Sequence, residues 1–343
     1  METQDAAPMT VDELTRRLAA RPRVRLARLP TPLHRAERFS AEVGAEVWLK
    51  RDDLTGVALG GNKIRKLEFL LGEAREAGAD CLITVGAAQS NHARTVAAGA
   101  AMSGLPCHLI LGGDRPATPT GNVLLDSLLG AELHFAGVTA WDELELVAEE
   151  VRATLTARGH RPYVIPAGGS TPVGALGFVG AYLELLEQTA AEGVEPALIV
   201  HAAASGGTQA GLHAAHQLLS PGRKGPAVFG VPVADPADEL ADEVAGLAGG
   251  AAELLGGPPD VARPSVIDGF RGDAYGVSTP GGEEALRLML RTQGVLTDPV
   301  YTAKALHAVV ERAADLAAGR PIVFWHTGGA PAVFSGEHTL VNW

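Results

Sequence analysis

The chain has 343 residues, enough for two domains or one large one, and its 46% hydrophobic and 20% charged residues are ordinary for a globular α/β protein. A formal net charge of −12, without a basic block, gives no electrostatic reason to bind nucleic acid or an anionic membrane. Apolar stretches fall short of the roughly 18–20 residues that cross a bilayer, so we expect a soluble protein that acts on a small molecule.

Two features of the chain predict its compartment. The first five residues, Met-Glu-Thr-Gln-Asp, are acidic and lack the apolar region of a signal peptide. Cys81 and Cys107 each begin an apolar run that is typical of a buried strand, which favours free thiols over a disulfide framework. Reduced thiols fit a cytoplasmic location.

Short apolar runs rich in β-branched residues alternate with amphipathic segments along most of the chain. This alternation predicts a parallel sheet with helices on both faces, and ligands bind such sheets where strands end and helices begin. The predicted strands are 82–85, 108–111, 163–166, 198–202, 228–231 and 321–325. The predicted helices include 63–77, 92–103, 141–158 and 173–188.

The first loop with chemical potential is the glycine-rich segment 56–66, which leads into a helix. The spacing excludes a phosphate loop of the nucleotide triphosphatase type, because Asn62 rather than lysine follows Gly61 and Ile64 follows Lys63. A lysine at a helix start, if buried, has a lowered pKa and can attack an aldehyde as the neutral amine. A solvated Lys63 with Asn62 as N-cap is the alternative.

Two further strand-to-helix loops carry polar groups. In segment 201–211, small residues allow backbone N–H groups to converge on an anion, and Ser205 and Thr208 add hydroxyl groups. A purely structural turn explains this segment equally well. In segment 86–92, Ser90 or Asn91 could simply cap the following helix.

The remaining segments give weaker indications of function. Tyr275 and Tyr301 lie in polar, loop-like contexts, where a tyrosine is more often packed than catalytic. No metal site is expected, because His213 and His216 have no accompanying cysteine or carboxylate motif. Segment 234–264 is predicted to be peripheral and without catalytic residues. The solvated face of helix 141–158 is expected to include Glu143, Glu145, Glu149 and Glu150.

Taken together, these loops resemble the fold-type II enzymes that depend on pyridoxal 5′-phosphate (PLP), in particular the family of D-cysteine desulfhydrase and 1-aminocyclopropane-1-carboxylate (ACC) deaminase. The matching segments are 29–33, 49–53, 60–68, 89–91, 207–211, 298–301 and 326–329.

The resemblance implies an α/β fold of two open, twisted, parallel-type sheets flanked by helices. It implies a large PLP-binding domain at 1–56 and 173–343, a small inserted domain at 57–172, a site in the cleft between them, and a homodimer.

The resemblance also implies roles for individual residues. Lys63 would bind PLP as a Schiff base, Asn91 would bond the ring hydroxyl of PLP, and the catalytic residues on the substrate side would be Ser90, Tyr275 and Tyr301. The phosphate would be bound by Lys66 and by a loop consisting of Ala204, Ser205, Gly206, Gly207 and Thr208.

Two positions distinguish the branches of this family. ACC deaminases resemble the chain but carry glutamate and leucine where it has Thr302 and Thr327. The family pattern puts position 302 beside the pyridine nitrogen of PLP, where a carboxylate would keep that nitrogen protonated and strengthen the ring as an electron sink. A threonine there favours substrates with a good leaving group at Cβ, such as thiolate.

The sequence therefore predicts a PLP-dependent lyase that converts D-cysteine into pyruvate, hydrogen sulfide and ammonia. The alternatives are an ACC deaminase, a lyase for another β-substituted amino acid such as cysteate, and a non-catalytic small-molecule binder on the same fold.

Overall fold

The computed structural model describes residues 8–219, 225–336 and 340. The first five residues, on which the expectation of no signal peptide rests, lie outside the described residues. The strands are β1 Leu33–Arg35, β2 Val47–Arg51, β3 Cys81–Ala87, β4 Cys107–Gly112, β5 Glu132–Phe135, β6 Pro162–Ile165, β7 Leu198–Ala203, β8 Ala227–Pro232, β9 Ser265–Val266 and β10 Ile322–His326. The helices are α1 Val11–Ala19, α2 Glu37–Val43, α3 Lys63–Glu76, α4 Asn91–Ser103, α5 Gly121–Leu128, α6 Trp141–Ala157, α7 Pro172–Glu192, α8 Gly207–Leu219, α9 Ala237–Leu254, α10 Pro280–Gln293 and α11 Thr302–Ala317.

These strands form two separate sheets. The larger has the order β1-β2-β10-β7-β8-β9, and its pairs are parallel except for the antiparallel edge pair β1–β2. The smaller has the order β5-β4-β3-β6 and is wholly parallel. The predicted α/β fold with two open, parallel-type sheets is therefore confirmed, as are the six predicted strands.

Both sheets are covered by helices on both faces, as parallel sheets require. One face of the larger sheet packs on α7, α8 and α9 through residues such as Phe178 and Val244. Its other face packs on α10 and α11 through Leu306 and its neighbours. The smaller sheet lies between α3 and α4 on one side and α6, with Leu144, on the other.

The strands of the smaller sheet all lie between Cys81 and Ile165, inside the segment predicted as an inserted domain. Helix α3 packs against both layers, because Leu67 belongs to the core of the smaller sheet and Phe69 to that of the larger. The exact domain boundaries stay a prediction. Cys81 and Cys107 are buried free thiols, as expected. Among the described helices, none combines the length and apolarity needed to span a bilayer.

A buried ionic network fixes the start of α3 to the rest of the larger layer. Arg65 forms two hydrogen bonds with the Asp52 carboxylate, at 2.8 and 2.9 Å, and two with Glu184 on α7, at 2.9 and 3.0 Å. Lys50 of β2 donates to Glu184 as well, and to the Thr31 carbonyl at 2.7 Å. The network therefore ties α3, β2 and α7 together one turn from Lys63.

Candidate active site

A cavity of about 360 Å³ opens where β3 and β7 end and where α3, α4 and α8 begin. This is the position at which a parallel α/β sheet binds ligands. The structure brings almost all of the predicted site residues to this cavity. Those that line it are Lys63, Lys66, Ser90, Asn91, Ala204, Ser205, Gly206, Gly207, Thr208, Tyr275, Tyr301 and Thr327.

Lys63 is the first residue of α3 and faces the cavity. Burial lowers the pKa of its amine to about 8, so the neutral form is accessible near neutral pH. The alternative of a solvated lysine capped by Asn62 is wrong. The Asn62 side chain makes no cap bond, and instead donates to the Thr208 hydroxyl at 2.9 Å. Asn62 thus joins the lysine loop to the loop before α8.

One end of the cavity is built to bind an anion. The buried amine of Lys66 donates to the Gly168 carbonyl and to the Ser170 hydroxyl, both at 3.0 Å. The Ser170 hydroxyl also donates to Ser205 at 2.9 Å and accepts from the Gly207 N–H at 3.2 Å. Burial, together with the nearby charge of Lys63, holds the pKa of Lys66 well below its usual value. A bound anion would restore the charged form.

Glycine keeps this end open. A Cβ on Gly207 would lie 2.7 Å from both the Lys66 amine and the Ser170 hydroxyl, and would fill the space between them. Gly207 is also the first residue of α8, where backbone N–H groups and the helix dipole favour negative charge. Lysine, hydroxyl and backbone donors therefore fit a phosphate group, as PLP would supply.

The start of α4 contributes Ser90 and Asn91. Ser90 does cap this helix, since its hydroxyl accepts the Ala93 N–H at 3.1 Å, and it lines the cavity at the same time. The side-chain carbonyl oxygen of Asn91 accepts a hydrogen bond from the side-chain amide of Asn122 at 3.0 Å. The Asn91 NH₂ group is therefore the part of this amide that can donate to an oxygen atom of a ligand.

Two tyrosines face the cavity from the larger layer. The hydroxyl groups of Tyr275 and Tyr301 share a hydrogen bond, and the rings meet edge to face with centroids 6.0 Å apart. Burial, followed by the neighbouring Tyr275, raises the pKa of Tyr301 well above its usual value. Tyr301 is therefore a neutral phenol at any physiological pH, and can donate a proton.

Thr302 is not among the residues that line the cavity. It is fully buried, and its hydroxyl donates to the Asp298 carboxylate at 2.6 Å. The same carboxylate accepts the N–H groups of Val300, Tyr301 and Thr302, which begins α11 in the way an N-cap does. The role beside the pyridine nitrogen stays a prediction for Thr302. Thr327, by contrast, does face the cavity.

The sequence missed several cavity residues. Ser170 follows two glycines between β6 and α7, a strand-to-helix signal that could have revealed it. Burial, followed by the nearby charges of Lys63 and Lys66, holds the pKa of His92 well below its usual value and keeps the ring neutral. Trp141, at the start of α6, reaches the cavity and packs edge to face on Tyr275, with ring centroids 6.4 Å apart.

Three acidic residues that the sequence did not assign to the site also line the cavity. Glu145 is exposed, as expected for the solvated face of its helix, and it also lines the mouth of the cavity, whereas segment 234–264, which was expected to be peripheral, contributes Asp235 and Glu243 to the cavity. The reason is packing, which sequence periodicity does not reveal. Helix α9 buries Val244 in the larger core, and this places Glu243 close enough to Lys66 to act on its charge.

The chain was compared with known proteins. Residues 24–328 match the family model for the pyridoxal-phosphate dependent enzyme. A provisionally named 1-aminocyclopropane-1-carboxylate deaminase of Pyrococcus horikoshii is 41% identical over 325 residues, which cover 95% of this chain and 97% of that protein. A D-cysteine desulfhydrase of Yersinia pestis is 40% identical over 329 residues, which cover 94% of this chain and 98% of the other.

The solved structure of an ACC deaminase homologue superimposes with a TM-score of 0.87 at 39% identity, covering 94% of this chain and 96% of that one. Identity of this extent along nearly the whole chain confirms the fold-type II architecture and the dependence on pyridoxal phosphate. The chain belongs to the pyridoxal-phosphate-dependent enzymes, in the family that holds the ACC deaminases and the D-cysteine desulfhydrases.

Proposed function

We propose that this enzyme converts D-cysteine and water into pyruvate, hydrogen sulfide and ammonia by α,β-elimination. Bound PLP supplies a conjugated ring that stabilises negative charge at Cα of the substrate. Lys63 would bind the aldehyde carbon of PLP. Lys66 and the loop 205–208 would bind its phosphate, and Asn91 would bind its ring hydroxyl.

The remaining groups fit the proton transfers of this reaction. The amino group of the substrate would take the place of Lys63 at the aldehyde carbon, and the freed Lys63 amine, with its lowered pKa, would then accept the proton from Cα. The Ser90 hydroxyl accepts the Ala93 N–H, so its own proton can be donated to the substrate carboxylate. The neutral phenol of Tyr301, which is hydrogen-bonded to the Tyr275 hydroxyl, would supply a proton to the departing sulfur.

The choice of D-cysteine depends chiefly on position 302. A threonine stands there, with its hydroxyl bonded to Asp298, so this position presents no carboxylate to the ring. Without that carboxylate the ring is a weaker electron sink, which suits a substrate whose thiolate leaves readily. The cyclopropane ring of ACC offers no such leaving group. Opening that ring therefore needs the stronger electron sink.

ACC deaminase is the alternative function, and the 41% identity to the Pyrococcus horikoshii protein favours it. A lyase for a different β-substituted amino acid, such as cysteate, would use the same groups.

Product analysis separates these functions. The holoenzyme is incubated separately with D-cysteine, L-cysteine, cysteate and ACC, and sulfide and keto acid are measured. Because free PLP reacts with cysteine, the Lys63→Ala variant with added PLP gives the background. We expect sulfide and pyruvate in equal amounts from D-cysteine. If ACC yields keto acid while sulfide formation from D-cysteine stays at the background rate, the enzyme is a deaminase instead.

We also propose that the enzyme is a cytoplasmic homodimer. Leu124 and Leu128 lie one turn apart on α5 and are 41% and 74% exposed, which is an apolar surface of the kind that subunits bury. The buried thiols of Cys81 and Cys107 suit a reducing compartment.

A further inference from the structure

Three side chains that can bind a metal ion meet on the smaller sheet, outside the cavity. β4 and β5 are neighbours, and their register pairs His108 with Glu132. His134 follows Glu132 by two residues, so all three side chains project from the same face of the sheet. The backbone register alone therefore brings them together.

The ligand atoms have the spacing of a metal site. His108 Nδ1 lies 3.3 Å from His134 Nε2 and 3.4 Å from Glu132 Oε2, and His134 Nε2 lies 3.5 Å from Glu132 Oε1. Ligands at about 2.0–2.1 Å from a tetrahedral zinc ion are roughly 3.3–3.4 Å from one another. The two imidazole nitrogens have this spacing, and each of them has it to one of the two Glu132 oxygens, while one ligand atom from each residue can be chosen so that all three lie within 4.8 Å of one another.

We propose that His108, Glu132 and His134 bind one divalent transition-metal ion, with water as the fourth ligand. Two imidazoles and one carboxylate favour zinc, nickel or copper over magnesium or calcium. His108 Nδ1 and His134 Nε2 face each other and the Glu132 carboxylate, so these are the ring nitrogens that would coordinate the ion. Glu132 is 65% exposed at its side chain, which leaves a path for the ion and the water.

The site is separate from the catalytic cavity. In the register of β3 and β4, His108 pairs with Ile83, whereas the cavity is reached two residues later, at Val85. At the rise of a strand this is a separation of roughly 7 Å along the sheet. A metal ion would join β4 to the four-residue edge strand β5, and so would stabilise this edge.

A second cluster offers a comparison. Asp80, Cys81 and His160 also converge. This set is the weaker candidate, because burial raises the pKa of the Cys81 thiol to about 11 and a metal ion would have to displace that proton. The Asp80 carboxylate also already accepts the Arg161 N–H at 2.8 Å.

The experiment uses holoenzyme freed of metal with a chelator, without substrate, since cysteine itself binds zinc. Zinc binding is measured by calorimetry, and the melting temperature is measured with and without zinc. We expect one equivalent to bind with a micromolar or tighter Kd, and the melting temperature to rise by a few degrees at saturation. His134→Ala should lose this binding, and Glu132→Gln should weaken it at least tenfold.

Two controls make the result specific. His307→Ala removes a histidine that has a glutamate at 3.6 Å, and His160→Ala removes the second cluster. Both should bind zinc as the wild type does. Three outcomes would overturn the proposal: no binding by the wild type, unchanged binding by folded His134→Ala, or loss of binding in His160→Ala. The first would mean that the cluster is held by hydrogen bonds alone.

Discussion

At the scale of the residue, the cavity pairs an amine and a phenol whose pKa values burial shifts in opposite directions. The pKa of Lys63 is lowered to about 8, and that of Tyr301 is raised well above its usual value. In both cases burial disfavours the charged form. An amine whose neutral, proton-accepting form is accessible near neutral pH therefore stands in the same cavity as a neutral phenol that can donate a proton, which is the division of roles that acid–base catalysis needs.

The Tyr301→Phe variant tests whether the Tyr301 phenol is the group that donates the proton. The substitution removes the hydroxyl that bonds Tyr275 and keeps the ring that packs against it. We expect kcat for D-cysteine to fall by roughly 10²–10⁴-fold, the usual contribution of a positioned acid or base, while PLP content is unchanged. Steady-state kinetics and the absorbance of bound cofactor measure the two quantities.

Tyr163→Phe is the matched control for this variant. Its hydroxyl donates to Glu73 and it does not line the cavity, so kcat should stay at the wild-type value. A Tyr301→Phe enzyme as fast as the wild type would remove Tyr301 from the mechanism.

At the scale of the element, the site consists of glycine-rich turns between strands and helices. Sequence analysis found the turns before α3, α4 and α8, because an apolar run followed by small and polar residues marks the carboxyl end of a parallel strand. It did not find Glu145 or Glu243, which lie on helices. These two residues reach the cavity because of the way α6 and α9 pack on the sheets. A helical pattern in the sequence shows which face of a helix is buried, but it does not show which other elements lie next to that helix.

Thr302 shows a limit of prediction from a family resemblance. A match to a family pattern identified the position, but its hydroxyl is bonded within the first turn of α11, to Asp298. Such a local bond depends on side-chain rotamers, which the sequence does not specify.

Gly207→Ala tests the phosphate end of the cavity. The added Cβ would lie 2.7 Å from the Lys66 amine and from the Ser170 hydroxyl, in the space where the phosphate would bind. We expect the Kd for PLP to rise at least tenfold, measured by titrating cofactor into the apoenzyme and following absorbance.

Gly246→Ala is the control for the same chemical change. Gly246 lies on α9, where a Cβ would meet nothing within 4 Å, and alanine favours a helix by up to about 1 kcal/mol over glycine. This variant should bind PLP as the wild type does. Equal affinity in the Gly207→Ala and wild-type proteins would place the phosphate elsewhere.

At the scale of the whole molecule, the ionic network of Arg65, Asp52, Glu184 and Lys50 joins elements that are distant in sequence. Each of these charges is buried or nearly so, and each has a partner of opposite sign. Removing one partner of a buried pair commonly costs about 3–5 kcal/mol, because the charge left behind has no compensation. The network therefore makes the position of α3, and with it that of Lys63, depend on α7 and β2.

Glu184→Gln tests this coupling through its dependence on pH. Burial alone would raise the pKa of Glu184, but its hydrogen bonds and ion pairs with Arg65 and Lys50 hold it at about 2, below its usual value of 4.5. The unfolded chain therefore takes up the proton first, so this stabilisation is fully present above pH 4.5 and is lost as the pH falls toward 2. We expect the variant to be less stable by about 3 kcal/mol at neutral pH and to lose less stability between pH 5 and 3.

Melting temperatures across this range measure both effects, with Glu187→Gln, on the exposed face of α7, as the control. Parallel pH profiles for the wild type and Glu184→Gln would show that this carboxylate does not couple α3 to α7.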